Sequence, residues 1–505
     1  MWPRSLPESA VGQTAGMARS SRIGSSLPAE VWPIAIVVIV GAIMSILDTT
    51  IVNVALQTLR EDLGASLATI QWVSTGYLLA LAAVIPLTGW AAERLGPRRV
   101  WMTVVAGFVV TSALCGLAWS PGVLIGFRVL QGIAGGMIMP VGMITLAQAA
   151  GPQHMGRTMS VVGVPMLLAP VLGPVLGGLL VDNLSWRWIF YVNVPIGLIG
   201  LALAAKLLPA ERAVGASGDE IPVLDWKGLL MLSPGVAAIV FGLSEYGEHR
   251  TPTVTIAWLP VVIGFVLVAA FIRHALRTRF PLVEVKLFRS RGFAAAACTT
   301  FLLGAALFGS MILLPLYYQL ARGKSPLQAG LLIVPQGLGA AVGMNIGGRL
   351  TDRFGGGRVI PFGLVCLALG TIPFAFVAPH TPYWLLGAGL VFRGFGLGGS
   401  MMPAMAAAYA TLERHEVPRA TPMLNVLQRV GGSLGVAIFT VILENGIEDR
   451  ARHHAGPSDA FAHTYLWAVI AGLIALVPAL LLRREEARAR REKRAAEQPP
   501  APIAA

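Results

Sequence analysis

The sequence GWAAERLGPRR at residues 89–99 recurs 259 positions later as GRLTDRFGGGR at residues 348–358. Both copies place an acid and an arginine between two glycines, Glu93 with Arg94 in the first copy and Asp352 with Arg353 in the second. Each copy follows a long apolar segment. A motif repeated in the same context at such a distance indicates an internal duplication, so the sequence predicts two homologous halves.

Long apolar segments make up most of the chain around these motifs. Of the 505 residues, 55% are hydrophobic and 12% are charged, whereas a soluble domain carries about 25% charged residues. A helix of about 20 apolar residues crosses the hydrocarbon core of a membrane. The composition therefore excludes a water-soluble protein and predicts an all-α membrane protein with fourteen transmembrane helices. The fourteen windows are residues 33–56, 69–92, 100–119, 121–147, 157–181, 188–208, 226–243, 254–275, 292–320, 327–350, 358–378, 383–410, 422–444 and 464–482.

The repeat spacing divides these windows into groups of six, two and six. Six helices with short loops need about 200 residues, so the windows at 226–243 and 254–275 form an additional pair between two pseudo-symmetric six-helix halves. The predicted parts are an N-terminal tail at 1–30, a six-helix bundle at 31–210, the extra pair with its linkers at 211–285, a second six-helix bundle at 286–483 and a basic C-terminal tail at 484–505.

The basic residues are distributed unevenly between the loops. An even number of helices puts both termini on one side, and 28 of the 38 lysines and arginines then fall on that side, against 7 on the other. Cytoplasmic loops carry such an excess, so both termini are predicted to be cytoplasmic. This bias explains the net charge of +13 without a nucleic-acid partner, and the basic tail is predicted to lie near anionic membrane lipids.

Two further motifs accompany the repeated one. Residues 47–56 read LDTTIVNVAL, and residues 173–178 read GPVLGG, followed by WRWIFYVNVP at residues 186–195. The repeated loop resembles the signature of the major facilitator superfamily, and the other two motifs resemble those of its fourteen-helix drug/proton antiporters of the EmrB/QacA type. The resemblance covers nearly the whole chain and implies the major facilitator fold. Its departures are Gln57 where the family usually has Pro, Glu93 where it usually has Asp, and Ala169 at a small-residue position.

Asp48, inside the first apolar window, is the candidate for carrying a proton. An ionised carboxylate there costs about 3 kcal/mol on insertion scales, and burial favours its neutral form, so its protonation can respond to the side of the membrane that the site faces. A structural acid is the alternative. The matching place in the second half, at Phe308 and Gly309, holds no acid. Arg128, which the resemblance ties to proton coupling, is predicted to pair with Asp48 or its neighbours, with structural hydrogen bonding as the alternative.

Two further arginines, Arg393 and Arg429, lie inside apolar windows and must find a carboxylate, a carbonyl or water there. Arg393 is predicted to be the structural counterpart of Arg128, without an acidic partner. For Arg429 two interpretations stay open, a site for an anionic group and a brace for its helix.

A third set of residues is assigned to the conformational change. The two repeated loops are predicted to form charge pairs and helix-end contacts that hold the outward-facing state together, with membrane anchoring as the alternative. The small residues along the fifth helix permit close approach of another helix, and the resemblance implies a role in the interface between rocking halves. This set comprises Gly89, Glu93, Arg94, Gly96, Arg98, Gly348, Asp352, Arg353, Arg358, Gly173, Pro174, Gly177 and Gly178.

Polar and aromatic residues in or beside the predicted central helices are candidates for contacting a substrate. Such side chains suit aromatic or cationic amphiphiles, although interfacial aromatics and helix–helix hydrogen bonds have the same pattern. The candidates are Asn53, Gln71, Trp72, Tyr77, Tyr317, Tyr318, Gln319, Gln336 and Asn345.

The sequence contains no Walker loop, no His/Cys metal cluster and no nucleophile elbow. We therefore expect no enzyme activity, no metal and no cofactor, with the proton gradient as the energy source. The resemblance implies proton-coupled export of lipophilic or cationic compounds across the inner membrane of a bacterium by alternating access. The alternatives are export of an endogenous metabolite, antibiotic, lipid or siderophore and, less favoured, a non-transporting sensor or scaffold. A periplasmic adaptor is left open as a partner.

Overall fold

The structure is a computed structural model that describes residues 30–151, 154–209, 223–248, 258–324, 326–378, 380–412, 416–452 and 457–497. These residues form helices joined by short loops, with no strand among them. The long helices are α1 (Val31–Asp62), α2 (Leu67–Val84, continued as Thr88–Leu95), α3 (Pro97–Gly116), α4 (Pro121–Ala150), α5 (Met155–Asn183), α6 (Trp188–Leu207), α7 (Trp226–Glu248), α8 (Trp258–Ala275), α9 (Arg291–Ala321), α10 (Pro326–Phe354), α11 (Gly356–Ala375), α12 (Tyr383–Ala410), α13 (Val417–Arg452) and α14 (Pro457–Ile474, continued as Leu476–Glu497).

These helices correspond one to one with the fourteen apolar windows. Thirteen apolar helices in the described part are long enough to cross a membrane. The helix α5, with 29 residues, is long enough as well, because about 20 residues suffice. The predicted all-α membrane fold is confirmed.

In each copy of the repeated motif, a glycine ends the helix that precedes the turn. Gly96 and Gly355 have φ values of 86° and 87°, a conformation in which a side chain would be strained. Their N–H groups donate to the carbonyl oxygens of Ala92 and Thr351 and so finish α2 and α10. The chain then enters α3 and α11 directly. The glycine that the two motif copies share is therefore required by the backbone of the same turn.

The two halves repeat the same packing. In the first half α4 packs on α1, α2 and α3, while α1 also contacts α5 and α6, and α3 contacts α6. In the second half α12 packs on α9, α10 and α11, while α9 also contacts α13 and α14, and α11 contacts α14. Between the halves α5 packs on α10 and α12, and α13 packs on α2 and α4. Every one of these pairs has a counterpart, so the two halves are pseudo-symmetric.

The extra helices α7 and α8 bridge the two halves. They pack on each other, with Gly235 and Gly264 at close backbone approach. The helix α7 also contacts α2 in the first half and α13 in the second. Trp72 of α2 stacks on Phe241 of α7, with ring centroids 6.1 Å apart. The extra pair is therefore attached to both halves.

The last helix is longer than its apolar window predicts. It continues to Glu497, so residues 484–497 of the predicted tail are helical, whereas residues 498–505 and the predicted N-terminal tail up to residue 29 lie outside the described residues. The apolar window ends at residue 482 because it detects only membrane-crossing character. Ala, Arg, Glu and Lys are nevertheless strong helix formers, and they extend α14 beyond that point.

Candidate functional site

Asp48 lies within α1 and is fully buried. Its Oδ2 accepts a hydrogen bond from Arg128 Nη1 at 2.6 Å. Its Oδ1 accepts two more, from the side-chain amides of Gln131 at 3.0 Å and Asn193 at 2.9 Å. These partners come from α4 and α6. The structure thus brings together the two residues that the sequence assigns to proton coupling.

Arg128 is fixed from several sides and is 1% exposed. Its Nε donates to the carbonyl oxygen of Val73 at 3.1 Å, and its Nη1 also donates to Gln131 Oε1 at 2.8 Å. The guanidinium carbon lies 3.9 Å from the centre of the Tyr77 ring. These contacts hold the positive charge beside Asp48 in an interior where water does not screen the interaction.

Asn193 and Ser112 extend the hydrogen-bond network to α3. Asn193 Nδ2 donates to Ser112 Oγ at 3.1 Å, and Ser112 Oγ donates to the carbonyl oxygen of Phe190 at 2.9 Å. Asn193 Oδ1 is buried and has no hydrogen-bond partner among the described residues. A buried acceptor without a partner costs free energy.

The arrangement fits the charged form of Asp48. A carboxylate can accept all three hydrogen bonds and balance the guanidinium, whereas a neutral carboxyl has a proton on one oxygen and leaves Arg128 without a counter-charge. Adding a proton therefore weakens the ion pair that joins α1 to α4. The site can in this way convert protonation of one side chain into a change in helix packing.

Sequence patterns alone do not identify Gln131 and Asn193 as partners of Asp48. Gln131 follows Arg128 by three residues, a spacing that puts both side chains on one face of α4. That spacing is a usable signal for Gln131. Asn193 is 145 residues from Asp48 along the chain, and only the fold brings the two together.

The second half holds Arg393 in a neutral network. Arg393 is 3% exposed, and its Nε donates to Thr371 Oγ1 at 3.2 Å while its Nη1 donates to Gln336 Oε1. Both partners are neutral. The part of the chain that the structure describes thus has a charged pair around Arg128 and a neutral network around Arg393, as the comparison of the two halves in sequence predicts.

The Arg429 side chain is half-buried, and its helix α13 packs on α2 and α4 of the first half. A positive charge therefore lies where the halves meet. Both interpretations from the sequence, an anion site and a brace for α13, stay predictions.

The first repeated loop joins the halves through Glu93. This residue, at the end of α2, accepts two hydrogen bonds from Arg419 in the first turn of α13, from Nε at 2.9 Å and from Nη2 at 3.2 Å. Arg–carboxylate pairs of this bidentate kind are directional as well as charged. One end of the first half is thereby attached to the second half.

The second repeated loop makes the matching contact through Asp352. Its Oδ1 accepts from the backbone N–H of Gly156 at 2.8 Å, and its Oδ2 accepts from that of Arg157 at 3.2 Å. These N–H groups belong to the first turn of α5, where the helix terminus favours a negative charge. We call the paired contacts of Glu93 and Asp352 the gate. In this structure the gate is closed.

Gly348 lies at a point of close approach within the gate. A Cβ there would overlap the Oγ of Ser160 and the carbonyl oxygen of Gly156. We therefore expect Gly348→Val to hold the halves apart at this end. The measurement is the rate at which a membrane-impermeant maleimide labels Ser160→Cys, a buried position, in a chain whose exposed Cys298 is replaced by Ser.

The matched control is Gly178→Val, because a Cβ at Gly178 has no atom within 4 Å. Faster labelling of Ser160→Cys is expected with Gly348→Val and not with Gly178→Val. Equal labelling rates in the two variants would show that Gly348 does not limit closure of the gate.

Two glycines of the α5 motif, Gly173 and Gly177, face α1 within the first half. A Cβ at Gly173 would overlap Thr50 Oγ1, and one at Gly177 would press on Ile51, both on α1. In this conformation the two glycines permit the close approach of α1 to α5. Their role in the rocking of the halves stays a prediction. The side chains of Pro174 and Ala169 lie outside the described ones.

The helix α5 contacts the second half near its N-terminal end. Gly156 lies against the backbone of Gly348, and Ser160 Oγ donates to the carbonyl oxygen of Met344. The part of α5 that crosses between the halves is thus the part next to the gate.

The arginines of the two repeated loops surround the gate. Arg94, Arg353 and Arg358 are exposed, and Arg98 donates to the carbonyl oxygen of Ala205 at 2.8 Å. Anchoring at the membrane surface is consistent with these exposed positions.

Three of the predicted substrate contacts are buried. Tyr77, Tyr317 and Tyr318 are at most 1% exposed. Tyr77 stacks on Arg128, while Tyr317 packs edge-on against Phe374 in the core of the second half. Their rings fill the interiors of the two bundles in this conformation, and their contact with a substrate stays a prediction.

Two further candidates are occupied by other contacts. Trp72 faces α7 through Phe241, and the amide oxygen of Gln336 is bonded to Arg393. For the remaining four, contact with a substrate stays a prediction. Asn53, Gln71 and Asn345 are exposed, and Gln319 is half-buried.

Two pseudo-symmetric six-helix halves that meet at a gate are the architecture of a membrane transporter. The chain belongs to the major facilitator superfamily, whose family model matches residues 38–436 and, in a second match, residues 296–505. It is a multi-pass membrane protein with a transport function and is not an enzyme.

Related sequences and solved structures agree with this assignment. The chain is 44% identical to the multidrug resistance protein B homolog of Mycobacterium tuberculosis over 410 residues, which are 81% of this chain and 75% of the relative. It is 31% identical to the protein MdtD of Cronobacter sakazakii, whose name refers to multidrug resistance, over 91% of this chain and 96% of that one.

Two solved structures share the fold at low sequence identity. The human organic anion transporter MFSD10 aligns with a TM-score of 0.61 at 16% identity, over 90% of this chain and 100% of that one. The proton:xylose symporter XylE aligns with a TM-score of 0.57 at 13% identity, over 88% of this chain and 95% of that one.

Proposed function

We propose that this protein is a drug/proton antiporter of the fourteen-helix EmrB/QacA type that exports lipophilic compounds across the inner membrane of a bacterium. The observation that carries the proposal is the buried pair of Asp48 and Arg128, a titratable site inside a bundle whose halves meet at a gate. Relatives named for multidrug resistance support the substrate class.

The end that carries the gate is proposed to face the cytoplasm. Both repeated loops lie there, and Arg291, at the start of α9, is 3.9 Å from Glu485 in the helical C-terminal extension. These segments belong to the side with most of the lysines and arginines, and such an excess is typical of cytoplasmic loops. With the gate closed at this end, the proposal places the structure among the conformations that are not open to the cytoplasm.

The proposed cycle couples the charge of Asp48 to the position of the halves. In the outward-facing state a proton from outside neutralises Asp48, weakens its bond to Arg128 and favours release of the exported compound. The halves then rock and open the gate. On the cytoplasmic side a lipophilic compound binds as Asp48 loses its proton. Because protonation and substrate binding oppose each other, the proton gradient drives export.

Proteoliposomes with an acidic lumen test this proposal. Protein molecules whose gate faces the bath should carry ethidium, a fluorescent lipophilic cation, into the lumen as protons leave. We expect accumulation that collapses when an ionophore removes the pH difference. Accumulation that is independent of the pH difference would contradict proton coupling, and no ethidium movement by folded protein would contradict drug export.

A further inference from the structure

The linker between α8 and α9 is fixed against the gate. Leu282, Val283 and Leu287 in this linker are at most 8% exposed and belong to the main hydrophobic core. Asp225, just before α7, accepts a hydrogen bond from the backbone N–H of Leu282 at 3.3 Å, and its Oδ1 lies 2.7 Å from His274 Nε2. The linker is thus attached both to the core and to the extra helix pair.

Arg419 faces a second carboxylate that comes from this linker. In addition to its two bonds to Glu93, the arginine has its Nη1 3.8 Å from Glu284 Oε2. Glu284 Oε1 is buried and has no hydrogen-bond partner among the described residues. A guanidinium can bond both oxygens of a carboxylate. Glu284 therefore has an acceptor available for Arg419 that the closed gate does not use.

The two carboxylates around Arg419 come from different parts of the chain. Glu93 is at the end of α2 in the first half. Arg419 lies in α13, and Glu284, at the end of the linker, leads through the short helical turn Val285–Arg289 into α9 of the second half. Through this connection Glu284 would stay beside Arg419 when the halves separate at this end, whereas Glu93 would move away.

We propose that Glu284 binds Arg419 when the gate opens and thereby sets the balance between closed and open gate. This inference rests on the alternating access of the proposed function. Without Glu284, a partly buried Arg419 that lost Glu93 would be a poorly solvated charge, which would disfavour the open state. Glu284 prevents this. In the closed gate it competes with Glu93 for the same guanidinium. Glu284 is a positioning residue, since it acts through Arg419.

The inference predicts opposite effects for two neighbouring acids. Glu284→Gln removes the partner of Arg419 in the open state and removes the competitor in the closed state, so it should favour the closed gate. Glu93→Gln breaks the bond that closes the gate and should favour the open one. For partly exposed ion pairs we expect each variant to change the ratio of closed to open molecules about threefold.

Distances between spin labels at the gate end measure this ratio. The labels are placed at Leu95→Cys in the first half and Thr411→Cys in the second, both exposed positions, in a chain with Cys298→Ser. Detergent-solubilised full-length protein should show a short and a long distance. Glu284→Gln should deplete the long distance and Glu93→Gln should enrich it. Glu284→Asp, which keeps the charge, should restore the wild-type ratio at least in part.

A shift of both variants in the same direction, or an unchanged ratio in Glu284→Gln, would overturn the inference and leave the proposed function standing. A single distance in the wild type and in every variant would contradict alternating access and both proposals with it. Glu284→Ser, which removes the charge together with the long side chain, must shift the ratio in the same direction as Glu284→Gln. It decides the question if the Gln variant is not stably folded.

Discussion

Replacing Asp48 with Asn is expected to abolish accumulation of ethidium driven by a pH difference and to leave the protein folded. Asn has nearly the size of Asp and can still accept hydrogen bonds from Gln131 and Asn193, whose amides reach Asp48 at 3.0 and 2.9 Å. The Asn side chain does not titrate at physiological pH, so it cannot alternate between a charged and a neutral form. Coupling should therefore be lost while the helix packing is kept.

The measurement separates coupled from downhill movement of ethidium. Asp48→Asn proteoliposomes should accumulate no more ethidium than protein-free liposomes when the lumen is acidic, yet should still equilibrate ethidium down its own gradient. Asp182→Asn, which changes an exposed acid at the end of α5, is the control and should accumulate ethidium as the wild type does. Wild-type accumulation by Asp48→Asn would exclude Asp48 as the proton carrier.

Replacing Arg128 with Gln is expected to lower the stability of the protein strongly. The variant leaves the carboxylate of Asp48, which is fully buried, without its counter-charge. Removing one partner of a buried ion pair destabilises a protein by about 3–5 kcal/mol. The double variant Asp48→Asn with Arg128→Gln has no buried charge at the site and should recover most of this loss.

Thermal unfolding in detergent, followed by tryptophan fluorescence, measures both effects. Arg128→Gln and Asp48→Asn should each unfold at a lower Tm than the wild type, and the double variant should unfold above Arg128→Gln. Additive losses in the double variant would show that the two side chains do not act as a pair. The contact between Asp48 and Arg128 would then contribute no coupling energy to stability.

The sequence predicts the helices of this protein well because each must be apolar over most of its length. It also predicts residues that the local backbone conformation requires. Gly96 and Gly355 end their helices with the same positive φ, and the repeated motif places a glycine at both positions. Apolar windows find the membrane-crossing helices because they detect residues that suit lipid, not helix formation as such. They therefore miss the polar extension of α14, although its residues are strong helix formers.

The candidate sites divide in a similar way. The pairing of Asp48 with Arg128 can be predicted because a membrane interior holds few charges, and each needs a partner. The partner of Glu93 cannot, because Arg419 is 326 residues away along the chain and is one of many arginines near helix ends. The tyrosines Tyr317 and Tyr318 show the limit most clearly. Tyrosine is a residue type that suits a binding site, and only the structure shows that these two side chains fill a hydrophobic core.

The central claim is that proton and substrate compete through Asp48, and proton release upon ethidium binding tests it most directly. Purified protein in weakly buffered detergent solution is mixed with ethidium across a series of pH values, and a pH indicator reports the protons released. The wild type should release protons in an amount that depends on pH, and Asp48→Asn should release none. Equal release from the two proteins, or no release from the wild type at any pH, would contradict the claim.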